Sequence, residues 1–141
     1  MLRQGAVPAG AGLFGLVFAA GFVLGTLREL VLRHAIGPDV ARLLELPVMI
    51  TLSWLSARWI LRRAGKRSAR WQFEVGLIAF LLLMAAEMAL GILILGRGLS
   101  AFIADLFTLT GMLSFLAQAL LIVMPRLAAS ATGSSYGRTA P

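Results

Sequence analysis

Long apolar runs recur four times along the chain, and most polar residues collect between them. A helix of about 20 apolar residues is long enough to cross the hydrocarbon core of a bilayer. The runs predict four membrane spans, at about residues 8–31, 40–60, 73–95 and 102–124. We therefore expect an all-α fold, an integral membrane four-helix bundle over residues 1–127. Residues 128–141, rich in Ala, Ser, Thr and Gly, are expected to form a disordered tail.

Helix-ending residues lie between the predicted spans. Gly37 and Pro38 separate the first two spans, and Asp39 can cap the second. Pro47 is expected in the first turns of the second span, where its missing N–H is tolerated. Pro125 is expected to stop the fourth span.

Composition agrees with a membrane protein. Of the 141 residues, 60% are hydrophobic and 13% are charged, against roughly 25% charged in soluble proteins. The net charge of +7 would indicate a nucleic-acid partner in a soluble chain. Here the basic residues cluster between two spans, so we expect the lipid bilayer as partner and no nucleic acid.

The basic residues also predict an orientation. With four spans, both termini and the loop between spans 2 and 3 lie on one side and together hold nine basic residues, whereas the other side holds four. The positive-inside rule then places both termini in the cytoplasm. The nine are Arg3, Arg58, Arg62, Arg63, Lys66, Arg67, Arg70, Arg126 and Arg138, and the four are Arg28, Arg33, Arg42 and Arg97. Trp59 and Trp71 flank the basic loop, as interfacial aromatic residues do, and Trp54 is expected to pack deeper.

Few residues could perform catalysis. The chain has no cysteine and a single histidine, His34, which excludes disulfides, thiolate sites and multi-histidine metal sites. No phosphate loop, nucleophile elbow or metalloprotease motif is present. We expect no catalytic residue, no metal and no cofactor, and a protein that is not an enzyme.

Glu87 is the acid nearest the middle of a predicted span. A charge at such depth costs a few kcal/mol, so it normally faces the bundle interior and finds a partner. It could carry a proton or bind a cation, or it could be a hydrogen-bonded acid that holds helices together. Polar residues at a similar depth are Thr51 and Ser53 on span 2 and Thr110 and Ser114 on span 4. Thr110, Ser114 and Gln118 follow at intervals of four residues, a polar stripe that favours a hydrogen-bonded seam between helices over a conduction path.

A second group of charges lies near the opposite membrane surface from the basic loop. Arg42 and Glu45 are three residues apart and can pair on one helix face. Arg28 and Glu29 close span 1 at the same level. These four residues predict either a collar of surface ion pairs or a polar vestibule that leads down to Glu87.

Small residues predict close helix packing. Phe14, Phe18 and Phe22 form a ridge that we expect to face lipid or a neighbouring subunit. The predicted packing positions are two rows on span 1, Ala11, Gly15 and Ala19 in one and Gly21 and Gly25 in the other, together with Gly91 beside Glu87.

Three segments, 20–28, 43–49 and 83–91, together resemble small four-span membrane proteins of bacteria. They read Ala-Gly-Phe-Val-Leu-Gly-Thr-Leu-Arg, Leu-Leu-Glu-Leu-Pro-Val-Met and Leu-Met-Ala-Ala-Glu-Met-Ala-Leu-Gly. The resemblance covers about residues 10–124. It implies the fold and a bacterial inner membrane, and it implies no mechanism.

Two functional hypotheses follow. The first is a non-enzymatic accessory or structural subunit, which would use its glycine-rich and aromatic faces against a membrane-protein partner or a second copy of the chain. The second is a small proton- or cation-coupled transporter with Glu87 as the titrating group. A membrane enzyme that uses the second group of charges is a third, weaker alternative.

Overall fold

The computed structural model describes residues 5–133, and within that range the chain is helical without strands. Four of its helices are long and apolar enough to cross a membrane, which confirms the predicted fold class. The helices are α1 (Ala6–Ile36), α2 (Pro38–Ala64), α3 (Ala69–Leu93), the short α4 (Leu99–Leu106) and α5 (Leu109–Gly133).

The ends of the first two spans differ from the prediction. In α1 the helix continues through a π-helical turn at Arg28–Leu32 and ends before Gly37, whose φ of 86° turns the chain into α2. Helix α2 begins at Pro38, so Pro47 lies inside the helix and not in its first turns. The carbonyl of Leu43 therefore has no N–H to accept from at position 47.

The fourth span was predicted with the wrong ends. Residues 99–106 form a separate short helix, and α5 begins only at Leu109. Pro125 does not stop α5, which continues to Gly133 and so includes part of the predicted tail. The rest of that tail, with Arg138, and the first four residues, with Arg3, lie outside the described residues.

The four long helices form a ring in the order α1, α3, α5, α2. Within the described range, the diagonal pairs do not approach each other closely. Helices α2 and α3 are consecutive in the chain, yet they lie at opposite corners, joined by residues 65–68. Gly65 has a φ of 72° at the end of α2, and the Ser68 hydroxyl accepts a hydrogen bond from the Trp71 backbone N–H at 3.3 Å.

The two ends of the ring differ in charge. We call the end with the 65–68 loop the basic end, since it carries Arg62, Arg63, Lys66 and Arg67. The opposite end, where α1 turns into α2, is the ion-pair end and is defined by Arg28, Arg42, Glu45 and Asp105.

Nearly all buried apolar side chains lie in the half of the ring toward the basic end, which we call the packed half. Because lipid tails are as apolar as leucine, van der Waals packing and not the hydrophobic effect holds helices together in a membrane. The packed half contains Leu13, Val17, Ala57, Trp71, Val75, Ala79, Leu121, Met124 and Ala128.

Glycine allows the closest helix approach in the packed half. A Cβ atom on Gly76 of α3 would overlap the backbone carbonyls of Leu121 and Ile122 on α5. Pro125 has no N–H to donate to the Leu121 carbonyl, so that exposed acceptor lies against the Gly76 backbone. Gly10 makes a similar contact, since its Cβ would lie 2.7 Å from the side chain of Ile78.

The predicted packing glycines make no close backbone contact with another helix of the chain. A Cβ on Gly15, Gly25 or Gly91 would meet no atom of another helix within 4 Å, and one on Gly21 would meet only the flexible end of Met49 at 3.3 Å. Packing of Gly15 against a partner protein or a second copy of the chain stays a prediction.

The aromatic predictions hold in part. Trp59 is exposed near the basic end, with the Arg63 guanidinium 4.0 Å from its ring centroid. Trp71 is 2% exposed and belongs to the core, not to an interfacial belt. Trp54 packs against the core as predicted. Phe18 also packs against the core, so the ridge that begins at Phe14 does not simply face lipid.

Candidate functional site

A cavity of about 540 Å³ occupies the half of the ring toward the ion-pair end. Its lining extends from Glu29 and Arg97 at the ion-pair end to the buried side chains of Val17, Leu83 and Leu121. All four long helices and α4 contribute to its wall. The interior of the helix ring is therefore filled by side chains toward the basic end and contains the cavity toward the ion-pair end.

Glu87 lies in the wall of this cavity and is hydrogen-bonded across the interface between α3 and α5. The Gln118 side-chain N–H (Nε2) donates to Glu87 Oε1 at 2.7 Å. Within the described part of the chain, no basic group lies within salt-bridge distance of Glu87, and Oε2 accepts no hydrogen bond. The acid thus has a neutral partner and one free oxygen.

The other predicted polar candidates separate into two groups. Ser53 and Ser114 line the same cavity as Glu87. Thr51 is exposed and donates to the Pro47 carbonyl of its own helix at 2.8 Å. Thr110 donates to Asp39 at 3.3 Å, away from Glu87. Thr51 and Thr110 were therefore wrongly grouped with the acid.

The charges at the ion-pair end pair between helices. The Arg42 guanidinium donates two hydrogen bonds to Asp105, at 3.3 Å and 3.0 Å, and joins α2 to α4. Arg28 donates to Glu45 at 2.7 Å and joins α1 to α2. The predicted pairing of Arg42 with Glu45 within α2 is wrong, because each residue has a closer partner on another helix.

The π-helical turn of α1 positions two of these charges. The backbone N–H of Arg33 donates to the backbone carbonyl of Arg28, five residues earlier, whereas in an α-helix it would donate to the residue four positions earlier. Within this turn Arg28 faces Glu45, and Glu29 accepts from Arg33 at 2.8 Å. The turn therefore gives the two neighbouring charges different main partners, Glu45 of α2 for Arg28 and Arg33 of α1 for Glu29.

All four predicted charges line the cavity that contains Glu87. The alternatives of a collar and a vestibule are thus combined: ion pairs surround the entrance to a space that leads to the acid. Gly21, Gly25 and Gly91 line the same space and widen it. Phe18 and Phe22 line it too, while Phe22 stays 59% exposed, in agreement with the expectation of an outward-facing ridge at that residue.

Sequence reasoning missed two residues at the entrance, Asp105 and Arg97. Asp105 lies inside the predicted fourth span, where an acid requires a partner, and that signal could have identified it. Glu74 inside the third predicted span was also passed over. It is 7% exposed in the packed half, and Arg70 on the next turn pairs with it at 3.1 Å.

The cavity is mainly apolar below the ion pairs of its entrance. Among residues 5–133, no cluster of acids and histidine has the composition of a metal site. The lining includes the Glu87 carboxyl, the Gln118 amide and the hydroxyls of Thr26, Ser53 and Ser114. No protein-family model, curated protein or solved structure matches the chain.

Proposed function

We propose that the chain is a small multi-pass transporter of the bacterial inner membrane that moves a proton or a monovalent cation, with Glu87 as the group that takes up the charge. The observation that supports this is one cavity that joins the ion-pair end to Glu87. An accessory role alone would not require such a space. The cavity therefore favours the second of the two hypotheses.

The charges around the cavity support the proposal. Every acid at the entrance has an arginine within 3.6 Å, whereas Glu87 has only an amide. Ionisable groups inside membrane helices commonly mark ion pathways and proton relays. The packed half would act as the closed side, so transport would require its helices to separate.

The orientation from the positive-inside rule would open the cavity away from the cytoplasm. A reporter enzyme fused at Lys66, in the basic loop, tests this. Activity of a cytoplasmic reporter there supports the orientation. Activity of an extracytoplasmic reporter would reverse it and would place the cavity entrance on the cytoplasmic side.

Flux through reconstituted vesicles tests the role of Glu87. Purified chain is placed in liposomes that contain a pH-sensitive dye, and a potassium diffusion potential is applied. We expect wild-type vesicles to acidify faster than protein-free vesicles and Glu87→Gln vesicles to match the protein-free rate. Thr51→Val is the matched control, because Thr51 lies outside the cavity, and it should keep the wild-type rate.

Two results would contradict the proposal. One is a Glu87→Gln variant that folds normally and retains the wild-type flux. The other is a wild-type rate no greater than that of protein-free vesicles, with sodium and potassium gradients giving no cation flux either.

A specific observation also supports the accessory role. Ala11, Gly15 and Ala19 form an exposed row on α1, outside the cavity. Such rows allow another helix to approach closely, from another membrane protein or a second copy of the chain. Gly15→Leu would then abolish co-purification of a partner in mild detergent. Recovery of the wild-type chain as an unaccompanied monomer would count against this role.

A further inference from the structure

The cavity wall is mainly apolar below its entrance. Ile50, Leu83, Phe115 and Leu121 surround the space near Glu87, and Met49 and Met84 add flexible side chains. Methionine adapts its shape to different apolar ligands and contacts aromatic rings favourably. These walls suit an apolar ligand body better than a hydrated inorganic ion.

The carboxyls that line the cavity differ in their partners. The three at the entrance, Glu29, Glu45 and Asp105, each pair with an arginine. Among the described residues, Glu87 is the lining carboxyl that has an amide as its partner and no arginine within salt-bridge distance. A ligand with a single positive charge would supply the missing ion-pair partner.

The cavity is larger than a small ion alone would fill. About 540 Å³ lies within the range of roughly 300–1,000 Å³ that small-molecule sites have. An inorganic cation needs several oxygen ligands at close range. Below the entrance, the described lining side chains supply the Glu87 carboxyl, the Gln118 amide oxygen and the hydroxyls of Ser53 and Ser114 among mainly apolar groups. An organic cation requires fewer oxygens and fills the remaining space with its apolar groups.

We propose that this cavity binds a hydrophobic organic monocation, an amphipathic amine or a quaternary ammonium or phosphonium ion. The positive centre lies against Glu87 Oε2, and the apolar groups contact Met49, Leu83 and Phe115. This inference rests on the proposed function, since it names the substrate class of the same site.

Equilibrium binding tests the ligand class without measuring transport. The probe is radiolabelled tetraphenylphosphonium, incubated with the purified chain in detergent and in lipid nanodiscs. We expect saturable binding of one probe per cavity. Glu87→Gln should lower the affinity about tenfold or more, because a lost charge contact of this kind corresponds to at least one decade in affinity. Thr51→Leu, outside the cavity, should bind as the wild type does.

A neutral competitor separates charge from hydrophobicity within the wild-type chain. Triphenylphosphine oxide has similar aromatic bulk and no net charge. It should displace the probe only at much higher concentration, and that preference should shrink in Glu87→Gln. Equal competition by the neutral compound would overturn the proposal in favour of an uncharged apolar ligand or a lipid chain.

A second variant keeps the test decisive if Glu87→Gln does not fold. Gly91 lines the cavity, and no atom of another helix lies within 4 Å of a Cβ placed on it. Gly91→Leu should therefore fold, fill the space and reduce probe binding, whereas Thr51→Leu should not. Undiminished binding to folded Gly91→Leu would overturn the proposal.

The two proposals can fail separately. Flux that depends on Glu87, together with no saturable binding of the phosphonium probe, would overturn the ligand class and leave the transport proposal standing. Binding that depends on Glu87, with no proton or cation flux, would support the ligand class and contradict transport of inorganic charge.

Discussion

Glycine and glutamate occur both in the packed half of the ring and in the half with the cavity, which we call the open half, but they have different roles in the two halves. Gly76 and Gly91 lie on α3, about four turns apart. At Gly76 the missing side chain lets α5 approach, and at Gly91 it leaves space within the cavity. The comparison teaches that a glycine in a membrane helix indicates either contact or volume, and that its neighbours on other helices decide which.

The acids of the two halves make the same point. Glu74 in the packed half pairs with Arg70, whose side chain is 67% exposed near the basic end. Long arginine side chains near helix ends reach toward the membrane surface in this way. Glu87 in the open half is too far from either end for such a partner and has Gln118 instead. Depth in the membrane thus separates a structural acid from a candidate ligand-binding acid.

The largest expected effect is the contrast between the two glycines. Gly76→Ala should destabilise the chain by more than about 3 kcal/mol, because overpacking costs typically 1–3 kcal/mol even where side chains can move, and here backbone must move. Gly91→Ala should be neutral or stabilising by up to about 1 kcal/mol, since alanine favours helix over glycine. Thermal unfolding in detergent measures both. Equal destabilisation would remove the distinction between the halves.

Removal of the amide partner of Glu87 should have a smaller effect. Gln118→Leu should cost about 1–2 kcal/mol, because a partly buried acceptor loses its donor. Thr51→Val, which breaks a hydrogen bond at an exposed position on α2, should stay within about 0.5 kcal/mol. The same unfolding measurement applies. A neutral Gln118→Leu would show that water in the cavity replaces the amide.

The smallest expected effect concerns the ion pairs. A double-mutant cycle of Arg42→Ala and Asp105→Ala should give a coupling of about 1 kcal/mol or less, since the pair is partly exposed. A matched cycle of Arg42→Ala and Glu45→Ala should give a smaller value. The opposite order would restore the pairing within α2 that the sequence alone predicts.

The lengths of the four apolar runs were sufficient to predict four membrane-spanning helices. The end of α5 was not predictable in that way: Pro125 breaks a local hydrogen bond, but packing of Met124 and Ala128 in the core keeps the helix going. The break between α4 and α5 lies within one apolar run. There the Thr108 hydroxyl donates to the Asp105 carbonyl and accepts from the Gly111 backbone N–H, so the break is capped by a local side chain that the apolar run does not reveal.

The depth of the site residues along their helices was predictable from the sequence, but the direction in which each side chain points was not. Residues spaced by four drift around a helix by about 40° at each step, so Thr110 turns toward Asp39 while Ser114 and Gln118 face the cavity. Gln118 belongs to the polar stripe that the sequence predicts on span 4, and its side chain donates to Glu87. The ion pairs that form at the cavity entrance depend on which helices lie side by side. The spacing of charged residues along the sequence does not contain that information.

The most direct test asks whether the half around Glu87 is open and the other half closed. The chain has no native cysteine, so Ser114→Cys in the cavity and Ala79→Cys in the packed half each carry a single thiol. Both variants are folded in nanodiscs and treated with a small cationic methanethiosulfonate reagent. As a control, a denatured sample of each variant receives the same treatment. We expect rapid labelling at position 114, protection at position 79 and full labelling of both once denatured. Equal labelling of the two folded variants, or protection of position 114, would contradict the open cavity.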